Sequence, residues 1–191
     1  MKKVSVTVLT VLAVLIAVSL AVPQVQAQEE LKPMSIYLGG GVSVPTGDAG
    51  DIWKFGFHGL GRVGFNVAPK LDILAGVDFH TFSFDDQGAS GFSGGGLTSI
   101  NLTGDLKVNL GAPGMSTNPF VLGGVGLGIA KASDLTVTGV GTFVGDSESK
   151  AFIEVGGGAE FNKFFILGRY VSIFTSGSSI SYIPITVGVK F

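Results

Sequence analysis

The sequence predicts an all-β fold, an eight-stranded antiparallel up-and-down barrel that spans a membrane. Apolar residues alternate with small or polar ones along eight stretches of the chain, which is the period of a strand with two different faces. Mean hydropathy is positive at +0.53, and only 14% of residues are charged. The turns after the second, fourth and sixth stretches are mostly short, and the loops after the others are mostly longer. An even strand count with short turns on one side is typical of membrane barrels.

The clearest strand is the last, residues 183–191. Every second residue is apolar: Ile183, Ile185, Val187, Val189 and Phe191. The residues between them are small or polar: Pro184, Thr186, Gly188 and Lys190. Such regular alternation indicates a strand that lies between two different environments. We expect it to pair with both the first and the seventh strands, which would close a barrel.

The other seven strands follow from the same alternation between turn signals. They are predicted at about residues 35–44, 55–67, 71–82, 97–110, 120–131, 150–161 and 164–174. The turns are predicted at residues 68–70, 111–119 and 162–163, and the loops at residues 45–51, 85–95, 132–149 and 175–179. Each strand is long enough to cross a bilayer at a tilt, which takes about 9–11 residues.

The N-terminus predicts an export signal. Lys2 and Lys3 precede an apolar stretch, residues 4–22, and the small-residue step Val25-Gln26-Ala27 fits a cleavage site. The predicted domains are therefore a cleaved signal peptide, residues 1–27, and a barrel, residues 28–191. An uncleaved anchor is the alternative, since the apolar stretch could just span a bilayer. Pro23 and the small polar residues after it favour cleavage.

Composition excludes several classes of function. The chain has no cysteine and two histidines, His58 and His80, so a structural zinc site is not expected. The formal charge is −2 without a long Lys/Arg run, which argues against nucleic acid as a partner. Residues 59–64 match the glycine fingerprint of dinucleotide binding, but the strand-like sequence up to Pro69 cannot form the required helix. We expect no cofactor and no metal.

The apolar faces could form a soluble core or face lipid. Nearly every strand carries about five large apolar residues, too many for the interior of an eight-stranded barrel. Glycines crowd the polar faces, where charged side chains would need room in a narrow lumen. Aromatic residues also fall near the strand ends, as bilayer interfaces select. Those predicted at the loop side are Phe55, Phe57, Phe79, Phe152 and Phe174, and those at the turn side are Phe65, Phe161, Phe164 and Phe191.

The charged residues of the polar faces are therefore predicted to lie in the lumen. They are Arg62, Asp78, Asp105, Lys107, Glu154 and Arg169. Buried charges are tolerated when they are paired, so these residues predict a polar network. The network is either a structural plug or the lining of a narrow or gated pore. The plug is favoured because eight strands leave little free bore.

With the strands placed, the chain resembles the small outer-membrane β-barrel proteins of Gram-negative bacteria, the OmpA/OmpX-like group. The resemblance rests on the export signal, eight alternating strands, the Gly168-Arg169-Tyr170 step and the terminal Val187 to Phe191 segment. It implies an outer-membrane location, contact with outer-membrane lipids and lipopolysaccharide, and an unknown surface partner. It also implies that Val187, Val189 and Phe191 form a signal for the barrel-assembly machinery. Nothing follows Phe191, so we expect no peptidoglycan-binding domain.

The resemblance also raises the possibility of a lipid hydrolase. The lipid A deacylases of this shape place a serine two residues after the histidine, where this chain has Phe82 after His80. Ser83 falls on the opposite face of the strand. We therefore expect a non-enzymatic barrel with a structural or surface-interaction role. The alternatives are a small or gated porin-like channel and, third, a lipid-modifying hydrolase.

Overall fold

The computed structural model describes residues 34–85, 92–112, 115–174 and 179–191. The strands in these ranges are β1 (Met34–Thr46), β2 (Gly56–Ala68), β3 (Leu71–Ser83), β4 (Phe92–Gly94), β5 (Gly96–Asn109), β6 (Thr117–Ala132), β7 (Leu135–Val137), β8 (Gly141–Phe143), β9 (Ser147–Phe161), β10 (Phe164–Phe174) and β11 (Ser179–Lys190). A 3-10 helix spans Gly47–Ala49. No helix among the described residues has the length and hydropathy needed to cross a bilayer. The predicted signal peptide, residues 1–27, lies outside the described residues.

Eight strands form one closed barrel in the order β1-β11-β10-β9-β6-β5-β3-β2. Every neighbouring pair is antiparallel, so the eight-stranded up-and-down prediction is confirmed. The predicted pairing of the last strand with the first and the seventh is confirmed as well, since β11 pairs with β1 and with β10. Beyond the end of β11, the Phe191 N–H donates to the Ile36 carbonyl at 2.9 Å, and the Ile36 N–H donates back at 3.1 Å.

The two ends of the barrel differ. The turn end carries the connections that follow β2, β5 and β9, and Met34 and Phe191 lie there too. Asn162, in the turn after β9, has a φ of 59°, a left-handed conformation that asparagine tolerates well in a two-residue turn. The loop end carries the connections that follow β1, β3, β6 and β10.

The apolar faces of the barrel strands lie on the outside, as predicted. In β3, Ile73, Val77 and Phe79 are exposed, whereas Asp78 and His80 on the opposite face are buried. The same inversion recurs around the barrel, because charged residues occupy the interior and large apolar residues the surface. The soluble-barrel alternative requires the reverse arrangement.

The aromatic side chains near the strand ends are exposed at eight of the nine predicted positions: Phe55, Phe57, Phe79 and Phe174 at the loop end, and Phe65, Phe161, Phe164 and Phe191 at the turn end. The prediction for Phe152 is wrong, because this residue is only 1% exposed. Ala151 and Ile153 take the outer face of β9, so Phe152 points inward. Its ring passes close beside Gly126, where a Cβ would lie 2.5 Å from Cε1.

The loop end contains more regular structure than the sequence indicates. Two predicted loops, residues 85–95 and 132–149, contribute the short strands β4, β7 and β8, which form a three-stranded sheet in the order β4-β7-β8. The pairing of β6 with β9 also continues to Lys131 and Ser147. Strands of three residues are too short to show a period, which is why the sequence indicates loops there.

Inward-facing apolar residues form two layers across the barrel interior. The turn-side apolar layer consists of Tyr37, Leu60, Leu74, Phe120, Leu122, Phe165 and Leu167. The loop-side apolar layer consists of Phe82, Phe152, Val171, Ile173 and Tyr182. The polar residues of the lumen therefore lie between the two apolar layers and also on the turn side and the loop side of them.

Candidate functional site

Five charged side chains meet in the middle of the lumen and form the central cluster. They are Arg62 of β2, Asp78 of β3, Asp105 of β5, Glu154 of β9 and Arg169 of β10. All five are buried, and five different strands supply them. Five of the six lumen charges singled out from the sequence thus come together.

Each arginine of the central cluster contacts more than one carboxylate. Arg62 Nη2 lies 2.7 Å from Glu154 Oε1 and 3.3 Å from Asp78 Oδ2, and Arg62 Nη1 pairs with Asp105. Arg169 Nη1 lies 2.8 Å from Glu154 Oε2 and also pairs with Asp78. Two carboxylates therefore bridge both guanidinium groups, and the cluster ties the opposite walls of the barrel together.

Glycines make room for the arms of these side chains. Gly156 lies opposite Arg169 in the β9–β10 pair, and a Cβ at that position would lie 2.8 Å from Arg169 Cγ. Gly124 lies opposite Asp105 in the β5–β6 pair, where a Cβ would lie 2.8 Å from Asp105 Cγ. Carbon atoms do not approach that closely without strain, so a larger residue at either position would displace the cluster.

Thr103 adds a hydroxyl to the central cluster. Its hydroxyl lies 3.0 Å from Asp105 Oδ1 and 3.0 Å from Glu154 Oε1. The cluster then holds two cations, three carboxylates and one hydroxyl in a space closed to solvent. The buried ion pairs of this cluster link five strands, and breaking a buried ion pair by removing one partner is usually strongly destabilising.

Lys107, the sixth predicted lumen charge, belongs to a second group at the turn end. Its Nζ lies 3.1 Å from Asp72 Oδ2 and 2.5 Å from Glu160 Oε1. Lys190 also pairs with Glu160, at 2.6 Å, and the Tyr37 hydroxyl donates to Glu160 at 3.0 Å. The ion pairs of this group include none of the five residues of the central cluster, so the six predicted charges form two networks.

A neutral polar group lies on the loop side of the central cluster. Ser43 Oγ is 3.1 Å from His58 Nδ1 and 3.0 Å from His80 Nδ1, and His58 Nε2 is 2.8 Å from Thr186 Oγ1. The two imidazole rings stack with centroids 5.2 Å apart. Sequence reasoning weighed His80 against Ser83 and missed Ser43, which strand register across β1, β2 and β3 brings to both histidines.

A serine beside histidine can act as a nucleophile, but this serine is in the wrong place for lipid chemistry. Ser43 and His80 are both fully buried. The loop-side apolar layer covers them, and His80 stacks on Phe82 with ring centroids 6.2 Å apart. The residue that orients His58 is a threonine rather than a carboxylate. The geometry makes this group an interior hydrogen-bond network.

The three residues of the predicted assembly signal lie along the closing seam. Val187 and Phe191 are exposed on the outer surface, and Val189 is partly covered. Val187 pairs with Gly40 of β1, and Val189 pairs with Leu38. Among the described residues, no group of three or more His, Cys, Asp or Glu side chains is arranged to hold a metal ion.

Comparisons with known proteins agree with this architecture. A family model described as an outer membrane protein beta-barrel domain matches residues 10–190. No curated protein sequence matches the chain.

Solved structures of outer-membrane barrels are similar in fold. Neisserial surface protein A is 11% identical with a TM-score of 0.59, and the match covers 83% of this chain and 96% of that one. A major outer membrane protein of Thermus thermophilus is 14% identical with a TM-score of 0.54, over 83% and 98%. Ail, the attachment invasion locus protein of Yersinia pestis, is 18% identical with a TM-score of 0.51, over 83% and 97%. Ail has also been solved with the heparin analogue sucrose octasulfate, at a TM-score of 0.50.

Proposed function

Because the chain belongs to the outer membrane β-barrel protein family, we propose that it is a non-enzymatic barrel with a closed lumen, whose working surface is its loop end. The observation that carries this proposal is the interior. Two apolar layers and the central cluster of buried ion pairs lie across the lumen. A barrel with such an interior would use its loops and its outer wall for function.

Export through the predicted signal peptide, residues 1–27, is part of the proposal. A protein of this family must cross the inner membrane before it assembles, and the N-terminal sequence has the charge and hydropathy of such a signal. The apolar outer wall would then contact outer-membrane lipids and lipopolysaccharide. The loop end would carry the contact with the unknown surface partner.

A closed lumen predicts that the pure protein does not conduct. We expect no discrete current steps when refolded protein is inserted into a planar lipid bilayer at high salt, because the arginines of the central cluster would have to leave their carboxylates for ions to pass. Folding of the protein sample is verified by the slower SDS-gel migration of the boiled protein relative to the unheated one. Uniform steps from inserted wild-type protein would support the porin-like alternative and overturn this proposal.

The charge of the loop end restricts the partner. The described lysines there are Lys54, Lys131 and Lys150, and the described carboxylates are Asp48, Asp51, Asp85, Asp134, Asp146 and Glu148. The excess is therefore negative, whereas a sulfated sugar such as the heparin analogue in the Ail structure is attracted by cations. The charge of this surface favours a neutral or basic partner.

The assembly signal remains part of the proposal, with Phe191 its most testable residue. We expect deletion of Phe191 to reduce the amount of folded protein in the outer membrane of cells several-fold, because the terminal aromatic and both hydrogen bonds to Ile36 are lost. Fractionation with a heat-shift immunoblot measures this. Phe191→Leu keeps both backbone bonds and is the control that isolates the aromatic ring. Unchanged levels after the deletion would remove the signal from the proposal.

A further inference from the structure

A cavity of about 320 Å³ opens at the loop end above the loop-side apolar layer. Its lining comes from strands β1, β3, β5, β6, β9, β10 and β11 and from the segment between β1 and β2. Volumes of this size lie at the lower end of those that hold small organic ligands. The central cluster and the neutral polar group lie below the floor, so the cavity is separate from the site described above.

Aromatic and aliphatic side chains make the body of the cavity. Phe82 and Tyr182 lie on the floor with ring centroids 5.5 Å apart. Trp53 forms part of the wall, and its own ring packs edge-on against Phe84 with centroids 6.2 Å apart. The tyrosine hydroxyl is already occupied, since Asn101 Nδ2 donates to it at 2.8 Å. The interior therefore offers shape and apolar contact to a ligand.

Charged side chains line the cavity at one place, its rim on β9 and just before it. Asp146 and Glu148 are carboxylates of this rim, and Lys150 pairs with Glu148 at 3.2 Å. Among the described residues, the backbone N–H of Ser147 is the donor to the Asp146 carboxylate, at 2.7 Å. One lysine beside two carboxylates leaves the rim with an excess negative charge, which matches the excess across the described loop end.

We propose that this cavity binds a small amphipathic cation, with its apolar or aromatic body between Trp53 and Tyr182 and its positive group beside Asp146. An apolar space favours burial of carbon by roughly 25 cal/mol per Å². A rim with excess carboxylate favours ammonium over carboxylate or sulfate groups. An anionic amphiphile or a lipid phosphate would place like charges together at the rim. The inference depends on the loop-end geometry and stands whether or not the lumen conducts.

The test uses the full barrel in zwitterionic phosphatidylcholine vesicles, with Trp53 as the reporter. Trp53 is the single tryptophan of the chain, so its emission reports on the cavity wall. Three probes share one phenylbutyl body: 4-phenylbutylamine, 4-phenylbutanol and 4-phenylbutyrate. We expect saturable changes in emission, with the amine binding about tenfold more tightly than the acid at low salt and the alcohol in between. Equal responses to all three probes, or no saturable response to the amine, would overturn the proposal.

Variants separate the cavity from the surrounding lipid. Ala130 lines the cavity and Ile129, next to it on β6, faces outward. We expect Ala130→Phe to abolish the saturable response and Ile129→Phe to preserve it. If Ala130→Phe does not fold, the charge variants of the rim, which change side chains at the mouth of the barrel, decide the matter.

The charge variants test the rim against the bulk charge of the loop end. The double variant Asp146→Asn/Glu148→Gln should reduce the preference for amine over alcohol to within about twofold. The matched double variant Asp48→Asn/Asp134→Asn removes the same charge elsewhere on the loop end and should retain the preference. If both double variants lost the preference for the amine, the overall negative charge of the loop end would explain it. That result would refute the assignment of the rim as the site of the positive group.

Discussion

Replacing Val125 with arginine is expected to lower the free energy of unfolding in lipid vesicles by about 2–4 kcal/mol, the cost of a cation near the middle of a bilayer on a barrel's outer face. Val125 lies near the midpoint of β6 and is 65% exposed on the outer wall. In water such an exposed side chain would tolerate arginine with almost no effect. A large loss of stability therefore identifies the surrounding medium as lipid. Urea titration of folded protein in vesicles, read from the heat-shifted band, measures it.

Val140→Arg is the matched control for this experiment. Val140 is 72% exposed in the connection between β7 and β8 at the loop end. The same substitution there should change the stability by less than about 0.5 kcal/mol, because the side chain stays in water. Equal losses of stability at Val125 and Val140 would contradict a lipid-facing wall, because the cost of arginine would then not depend on whether the side chain faces lipid or water.

Replacing Glu154 with alanine is expected to cost about 3–5 kcal/mol, the usual result of breaking a buried ion pair by removing one partner. Glu154 lies 2.7 Å from Arg62 and 2.8 Å from Arg169, and Thr103 is within 3.0 Å. Its loss takes from both arginines an acceptor that they share, so that Arg62 Nη2 and Arg169 Nη1 both depend on Asp78 Oδ2. The midpoint of urea unfolding should fall sharply, and the heat-shifted band should disappear at lower temperature.

Glu148→Ala is the control on the same strand. Glu148 is exposed and pairs with Lys150 at 3.2 Å, and an exposed pair contributes only about 0–1 kcal/mol. A second variant separates charge from volume, because Glu154→Gln keeps the shape and removes the charge. If Glu154→Gln and Glu148→Ala were equally mild, the central cluster would not brace the barrel electrostatically.

Strand number, strand faces and the closing pair followed from the sequence because they depend on a local period. Any strand whose two faces meet lipid and a polar lumen must alternate, and residues such as Val125 and Arg62 show this on their own strands. The depth of each side chain along the barrel is a different matter. It depends on the tilt and on the register between strands, which the local alternation of residues does not reveal. Lys107 and Arg62 look equivalent in the sequence, yet their ion pairs belong to two different networks.

The apolar residues inside the barrel were also hard to foresee. Leu60 and Leu74 sit on faces that carry charges elsewhere along the same strands, so alternation marks those faces as polar as a whole. Phe152 was assigned by its position near a strand end, although its neighbours Ala151 and Ile153 already occupied the outer face. Ser43 became significant only when register placed it between His58 and His80. These features depend on long-range packing, which the local pattern does not contain.

The hydrogen bonds between Phe191 and Ile36 have a consequence for the order of assembly. They join Phe191 to Ile36, which lies near the start of the barrel. Nearly the whole barrel domain therefore lies between the two residues that must meet, and contacts between residues far apart in the sequence form slowly. Until it happens, β1 and β11 are both open edges, able to pair with another chain. The closing step is therefore also the moment at which the protein ceases to be a template for its own aggregation. A chaperone or insertion machine that keeps other chains away from these two edges would protect the protein from aggregation until the barrel closes.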